Sequence, residues 1–204
     1  MKYIWIACIL RILLLDVHLL SCCYSLVDIQ AQEWIAEEEK EATDAGSLQD
    51  MLNRLAITLE VVCVNTDNDH RDKVAFTVFD AANEPSINVR DYIYRLQRLS
   101  RCSEAMCLIA VIYLDRLIVT GKLPIRCISI HRLIGTSFLL ANKFLEDSPH
   151  TNKTWASIIG VSKAELSRME RTFLITIDYN LFCKDTEYRA YRRALLDKNT
   201  TEKR

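Results

Sequence analysis

Wound as a helix, the stretch that follows Pro124 is apolar on almost every side, with Ile130, Leu133, Ile134, Phe138, Ala141, Phe144 and Leu145 placed to face inward. A helix without a polar face has to be surrounded by other elements, which predicts the central helix of a bundle. Pro124 suits its first turn, where a missing N–H costs nothing. The rest of the chain is compatible with this. Four glycines and three prolines in 204 residues leave too few turn formers for a many-turned β fold and favour long helices. A hydrophobic content of 50% can fill the core of one domain with extensions.

Further helices can be placed around this one by spacing and capping. Leu48, Met51, Leu52, Leu55, Leu59, Val62 and Cys63 recur at intervals of three and four, predicting an amphipathic helix from about Ser47, followed by a polar loop from Asn65 to Lys73. Beyond Pro85, Asn88 can cap a helix whose inner side is Val89, Tyr92, Ile93 and Leu96. Ser103 opens another, with Leu108, Ile109, Val111, Ile112, Ile118 and Val119 as its stripe and Gly121 as its stop. After Pro149 comes a short segment from Trp155 to Ile159, ended by Gly160. Ser162-Lys163-Ala164-Glu165 is a capping box for a last helix carrying Leu166, Met169, Phe173, Leu174 and Ile177.

The flanks differ from this body. Residues 1–30 are a hydrophobic segment interrupted by Arg11, Asp16 and His18, charges that oppose a membrane span; an appended helix, a signal-like segment and a misassigned start stay open. Residues 31–84 form an extension with an acidic run, and 191–204 a basic polar tail. The net charge of −1 gives no general attraction to nucleic acid. Eight cysteines without a CxxC pair or regular spacing predict reduced, buried thiols in an intracellular, cytoplasmic or nuclear protein. Cys127 and His131 lie four apart, but two ligands do not make a metal site. No glycine-rich phosphate loop, metal-ligand set or nucleophile motif stands out, so no catalysis and no cofactor are expected.

Four charges fall where helical periodicity asks for apolar residues: Arg90, Asp115, Lys143 and Glu170. Asp115 has only Val111, Ile112, Ile118 and Val119 at helical spacing, and Glu170 only Leu166, Ser167, Phe173 and Leu174. A charge on a packing face is costly unless another element or another molecule answers it.

In order and spacing, several blocks resemble the cyclin family: Val89-Arg90-Asp91-Tyr92-Ile93, Tyr113-Leu114-Asp115-Arg116, His131-Arg132-Leu133-Ile134, Ala141-Asn142-Lys143-Phe144-Leu145-Glu146-Asp147, and Glu165-Leu166 with Met169-Glu170. The stretch 85–190 is similar to a single cyclin box, most like the phosphate-signalling cyclins and the plant P/U types, with Trp155 where tyrosine is more usual. The resemblance implies an all-α fold: a five-helix cyclin box with an additional N-terminal helix. It implies a non-catalytic regulator that binds and activates a cyclin-dependent serine/threonine kinase, with no small-molecule substrate, nucleic acid or membrane as partner. By the same resemblance Arg90 and Asp115 form a buried ion pair, Lys143 and Glu170 contact the kinase, and Leu140, Phe144 and Tyr179 supply the apolar part of that contact. Two alternatives stay open: a transcription-factor-type cyclin-box module that binds nucleic acid or polymerase partners, and a secreted or membrane-tethered helical protein.

Overall fold

The computed structural model describes residues 48–69 and 76–196, so the hydrophobic N-terminal segment and the acidic run lie outside the described residues. Among the described residues the chain is all-helical. Its helices are α1 (Leu48–Asp69), α2 (Val89–Ser100), α3 (Glu104–Thr120), α4 (Ile130–Leu145), α5 (Asn152–Ile159), α6 (Lys163–Thr176) and α7 (Asp185–Leu196). No described helix is long and apolar enough to cross a membrane.

Local chemistry sets most of the helix ends. Asn88 Oδ1 accepts from Asp91 N at 2.7 Å, and the Ser103 and Thr151 hydroxyls accept from the third residue of α3 and α5. The capping box of α6 is complete, with Glu165 N donating to Ser162 Oγ at 3.1 Å and Ser162 N to Glu165 Oε2 at 3.0 Å. Gly121 (φ 60°) and Gly160 (φ 86°) end α3 and α5 in the left-handed conformation that glycine adopts without penalty.

As its apolarity requires, α4 sits at the centre and packs against α2, α3, α5 and α6. Leu133, Ile134, Phe138, Leu139 and Ala141 are fully buried there. A side chain at Gly135 would place a Cβ 2.8 Å from both the Tyr92 hydroxyl and Ile159 Cγ1, so α2 and α5 can approach α4 this closely only over a glycine. The apolar stripe of α1, from Met51 to Cys63, is buried, and α1 packs on α2, α3 and α7.

The structure departs from expectation in four places. The first helix runs on through Asn65 to Asp69, since that polar stretch contains no glycine or proline to stop it. α4 begins at Ile130, not near Pro124: Ser129 Oγ accepts from Arg126 N at 3.0 Å and closes a turn ahead of the helix. Val119, Phe144 and Leu145 are exposed, because each lies in the last turn of a helix that has run past the core. Finally, residues 185–196 form α7, which packs on α1 and α3 with Ala194 and Leu195 buried; the expected basic tail from 191 therefore begins as a docked helix.

Candidate functional site

Lys143, in the last turn of α4, donates through Nζ to Glu170 Oε1 on α6 at 2.5 Å. The other oxygen, Glu170 Oε2, accepts from Asn152 Nδ2 at 2.9 Å, so one carboxylate ties together the end of α4, the start of α5 and the middle of α6. Both charged side chains keep contact with water, Lys143 at 33% and Glu170 at 16% of full exposure. An ion pair in this setting contributes little to stability and its donors and acceptors stay exchangeable.

Neighbouring groups hold this cluster in place. Asn142 is buried, and its Oδ1 accepts from Trp155 Nε1 at 3.0 Å and from His150 N at 2.9 Å. One side chain thereby anchors the α4–α5 connection and sets where Asn152 can stand. Phe144 follows Lys143 and is 46% exposed, whereas Leu140, one turn earlier, is only 3% exposed. As placed, Leu140 is a core residue and not part of an accessible apolar surface.

Tyr179 is held out differently. Asp178 (φ 53°) and Tyr179 (φ 54°) are both left-handed, a conformation costing about 1–2 kcal/mol for an ordinary L-residue, and Tyr179 N closes the end of α6 on Leu174 O at 2.8 Å. The segment beyond is pinned from α3: Arg116 donates to Asn180 O (2.6 Å), Phe182 O (2.9 Å) and the Glu187 carboxylate (2.8 Å). Tyr113 Oη donates to Leu181 O at 2.9 Å. Tyr179 and Phe182 are left 61% and 69% exposed on a segment whose backbone is fixed.

Arg90 and Asp115 are not brought together. Arg90 is exposed on α2, while Asp115 on α3 is buried and accepts from Tyr191 Oη of α7 at 2.5 Å. The expected ion pair is thus replaced by a tyrosine–carboxylate hydrogen bond. Burial pushes the Asp115 carboxyl above the usual carboxylate range, and the Tyr191 hydrogen bond pulls it partly back. Burial and the adjacent Asp115 raise the Tyr191 phenol in turn. Cys127 and His131 also have separate surroundings: His131 Nε2 bonds Ile87 O at 2.8 Å, and Cys127 Sγ meets Cys63 Sγ at 3.2 Å.

Arg116 and Asn142 stand in the cyclin-like blocks without an assigned role, and Asn152 lies between Pro149 and the short segment from Trp155. Their value lies in bonds to backbone and side chains of other helices, which helical periodicity does not report.

The bundle, with its charged bridge between α4 and α6, can be set beside known proteins. The chain matches the model of the family described as Cyclin over residues 23–181, well over half its length. The chain belongs to the cyclin family. Among similar proteins, Cyclin-U4-2 of Arabidopsis thaliana is 34% identical over 126 residues, covering 61% of this cyclin and 58% of the relative. Cyclin-U4-1 of the same plant is 28% identical over 155 residues, covering 74% of this cyclin and 77% of the relative. The PHO85 cyclin-like protein psl1 of Schizosaccharomyces pombe is 32% identical over 121 residues, 58% of this chain and 50% of that protein. The match spans about three-fifths of the length of the first plant relatives, 58%, 63% and 61%. The plant-U-type and phosphate-signalling-type likeness expected from the motif blocks agrees with these relatives.

Proposed function

We propose that this cyclin binds and activates a cyclin-dependent serine/threonine kinase through the face carrying Lys143, Glu170, Phe144 and Tyr179. The observation that carries the reading is the Lys143–Glu170 bridge: two charges on two helices, partly open to water, with Phe144 exposed beside one of them. Exposed aromatic side chains supply affinity to an interface, and an exchangeable lysine and glutamate supply register by bonding polar groups of the partner. Tyr179 extends the same reading to the fixed segment after α6.

Activation of this kind is allosteric. A kinase is active only when the lysine–glutamate ion pair of its own nucleotide site is assembled, which depends on the position of a mobile regulatory helix. A rigid helical face that binds the inward position more tightly shifts the population towards it, by no more than the difference in binding free energy between the two positions. The burial of α4 along most of its length up to the site supports the rigidity that this reading needs.

The test is affinity capture with quantitative mass spectrometry, comparing the native chain with Lys143→Ala/Glu170→Ala. A serine/threonine kinase is expected with the native chain, and recovery lower by about tenfold, roughly 1.4 kcal/mol, with the double variant. Its helical circular dichroism should be unchanged, since surface pairs contribute about 0–1 kcal/mol to stability. Equal kinase recovery by the two proteins would remove these residues from the interface.

A further inference from the structure

The bundle contains two thiols from distant parts of the chain in direct contact. Cys63 lies on α1 and Cys127 in the turn ahead of α4; they are separated by 64 positions, yet their sulfurs are 3.2 Å apart. A disulfide has an S–S length of about 2.05 Å, so side-chain rotation of little more than an ångström would close the gap. Cys63 is buried at 3% exposure and its Sγ also donates to Glu60 O at 3.2 Å. Beside Cys127, Arg126 is paired with Asp80, and Ser129 closes the turn on Arg126 N. Cys127 is partly exposed, so a small oxidant can reach the pair from its side.

The other described thiols are set differently. Cys102 and Cys107 also bond each other, but both are buried with no exposed side for an oxidant to enter, and Cys102 further lies against Ser100 Oγ at 2.6 Å and Met106 Sδ at 3.6 Å. Cys183 is held by its neighbour's carbonyl, Lys184 O, at 3.4 Å, and burial pushes its thiol up to about 11. Low thiolate content makes it a poor nucleophile.

We propose that Cys63 and Cys127 are an oxidation site, converted by hydrogen peroxide into an intramolecular disulfide that ties α1 to the turn preceding α4. The Cys127 thiolate attacks one peroxide oxygen; an S–O bond forms, the O–O bond breaks, and the departing hydroxide takes up the thiol proton as water. The Cys63 sulfur then attacks the Cys127 sulfenic sulfur. An S–S bond forms, the S–O bond breaks, and hydroxide leaves with the Cys63 proton as a second water. Two thiols lose two electrons and one peroxide gains them. The modification is independent of kinase binding, because it concerns α1 and the α3–α4 turn and not the Lys143–Glu170 face.

The test uses the purified, fully reduced chain, treated with hydrogen peroxide, blocked with an alkylating agent and mapped by mass spectrometry without reduction. A cross-linked peptide joining Cys63 to Cys127 is expected, lighter by two hydrogens and lost on adding dithiothreitol. Closing a long loop in the unfolded chain should also raise the thermal midpoint by several degrees. Cys127→Ser and Cys127→Ala should each abolish both the cross-link and that rise. A native map with both cysteines alkylated, or joined only to other cysteines, overturns the proposal, as does a midpoint rise that survives in the Cys127 variants. The native map decides the matter even if a variant folds poorly.

Discussion

Asp115 makes the contribution of Tyr191 to stability depend on pH. The phenol hydrogen bond favours the ionised carboxylate, so removing it raises the Asp115 pKa in the folded state beyond the rise that burial already causes. Tyr191→Phe should therefore destabilise the chain most where Asp115 is ionised, by about 1–3 kcal/mol at neutral pH. That loss should shrink as pH falls through the raised carboxyl pKa, because a protonated Asp115 tolerates burial without the donor. Chemical denaturation of both proteins across the neutral to acid range would show it; a penalty independent of pH would mean the hydroxyl acts only by packing. Arg90→Ala should change stability by no more than about 0.5 kcal/mol, as for other exposed positions. A large fall in melting temperature would restore Arg90 as a buried partner. At this scale the sequence identified Asp115 as a charge needing an answer but pointed to the wrong residue. The answering group lies 76 positions downstream, and helical spacing carries no information about it.

The element that carries this tyrosine, α7, closes the bundle over α1 and α3. Its inner side includes Leu195 at 1% exposure, and Leu55, Thr58, Leu59, Val111 and Leu114 line the same small cavity beneath it. Leu195→Ala should cost about 2–4 kcal/mol in urea unfolding, the usual range for a buried leucine truncated to alanine. A change below about 0.5 kcal/mol would return the segment to the solvated tail that its charge suggests. Arg189, Arg192 and Arg193 dominate its composition and conceal the short apolar face that docks. Helices α2, α5 and α6 were legible because caps and breakers are local: Asn88, Ser162 and Gly160 act on residues within one turn. The start of α4 was not, because Ser129 ends a tertiary turn and Pro124 belongs to the approach.

The described residues form a helical bundle whose two innermost helices serve different ends. α3 supplies buried contacts and, through Tyr113 and Arg116, fixes the segment bearing Tyr179 and Phe182. α4 runs from the core to the surface, and its last turn delivers Lys143 and Phe144 to the proposed interface. The cyclin fold was readable because an all-apolar helix, capped neighbours and the motif blocks point the same way. Of the proposed contact residues, Lys143 and Glu170 meet across α4 and α6, and Phe144 and Tyr179 are exposed, although periodicity alone places Phe144 inward. Leu140 was misplaced, since one helical turn separates a core position from a surface one. Kinase activation is tested by substrate phosphorylation by the captured kinase, purified alone and titrated with the chain. Saturable stimulation by the native chain is expected, with about tenfold more Lys143→Ala/Glu170→Ala protein needed for the same rate. No stimulation at saturating native chain, or identical titration curves for the two proteins, would contradict the proposed function.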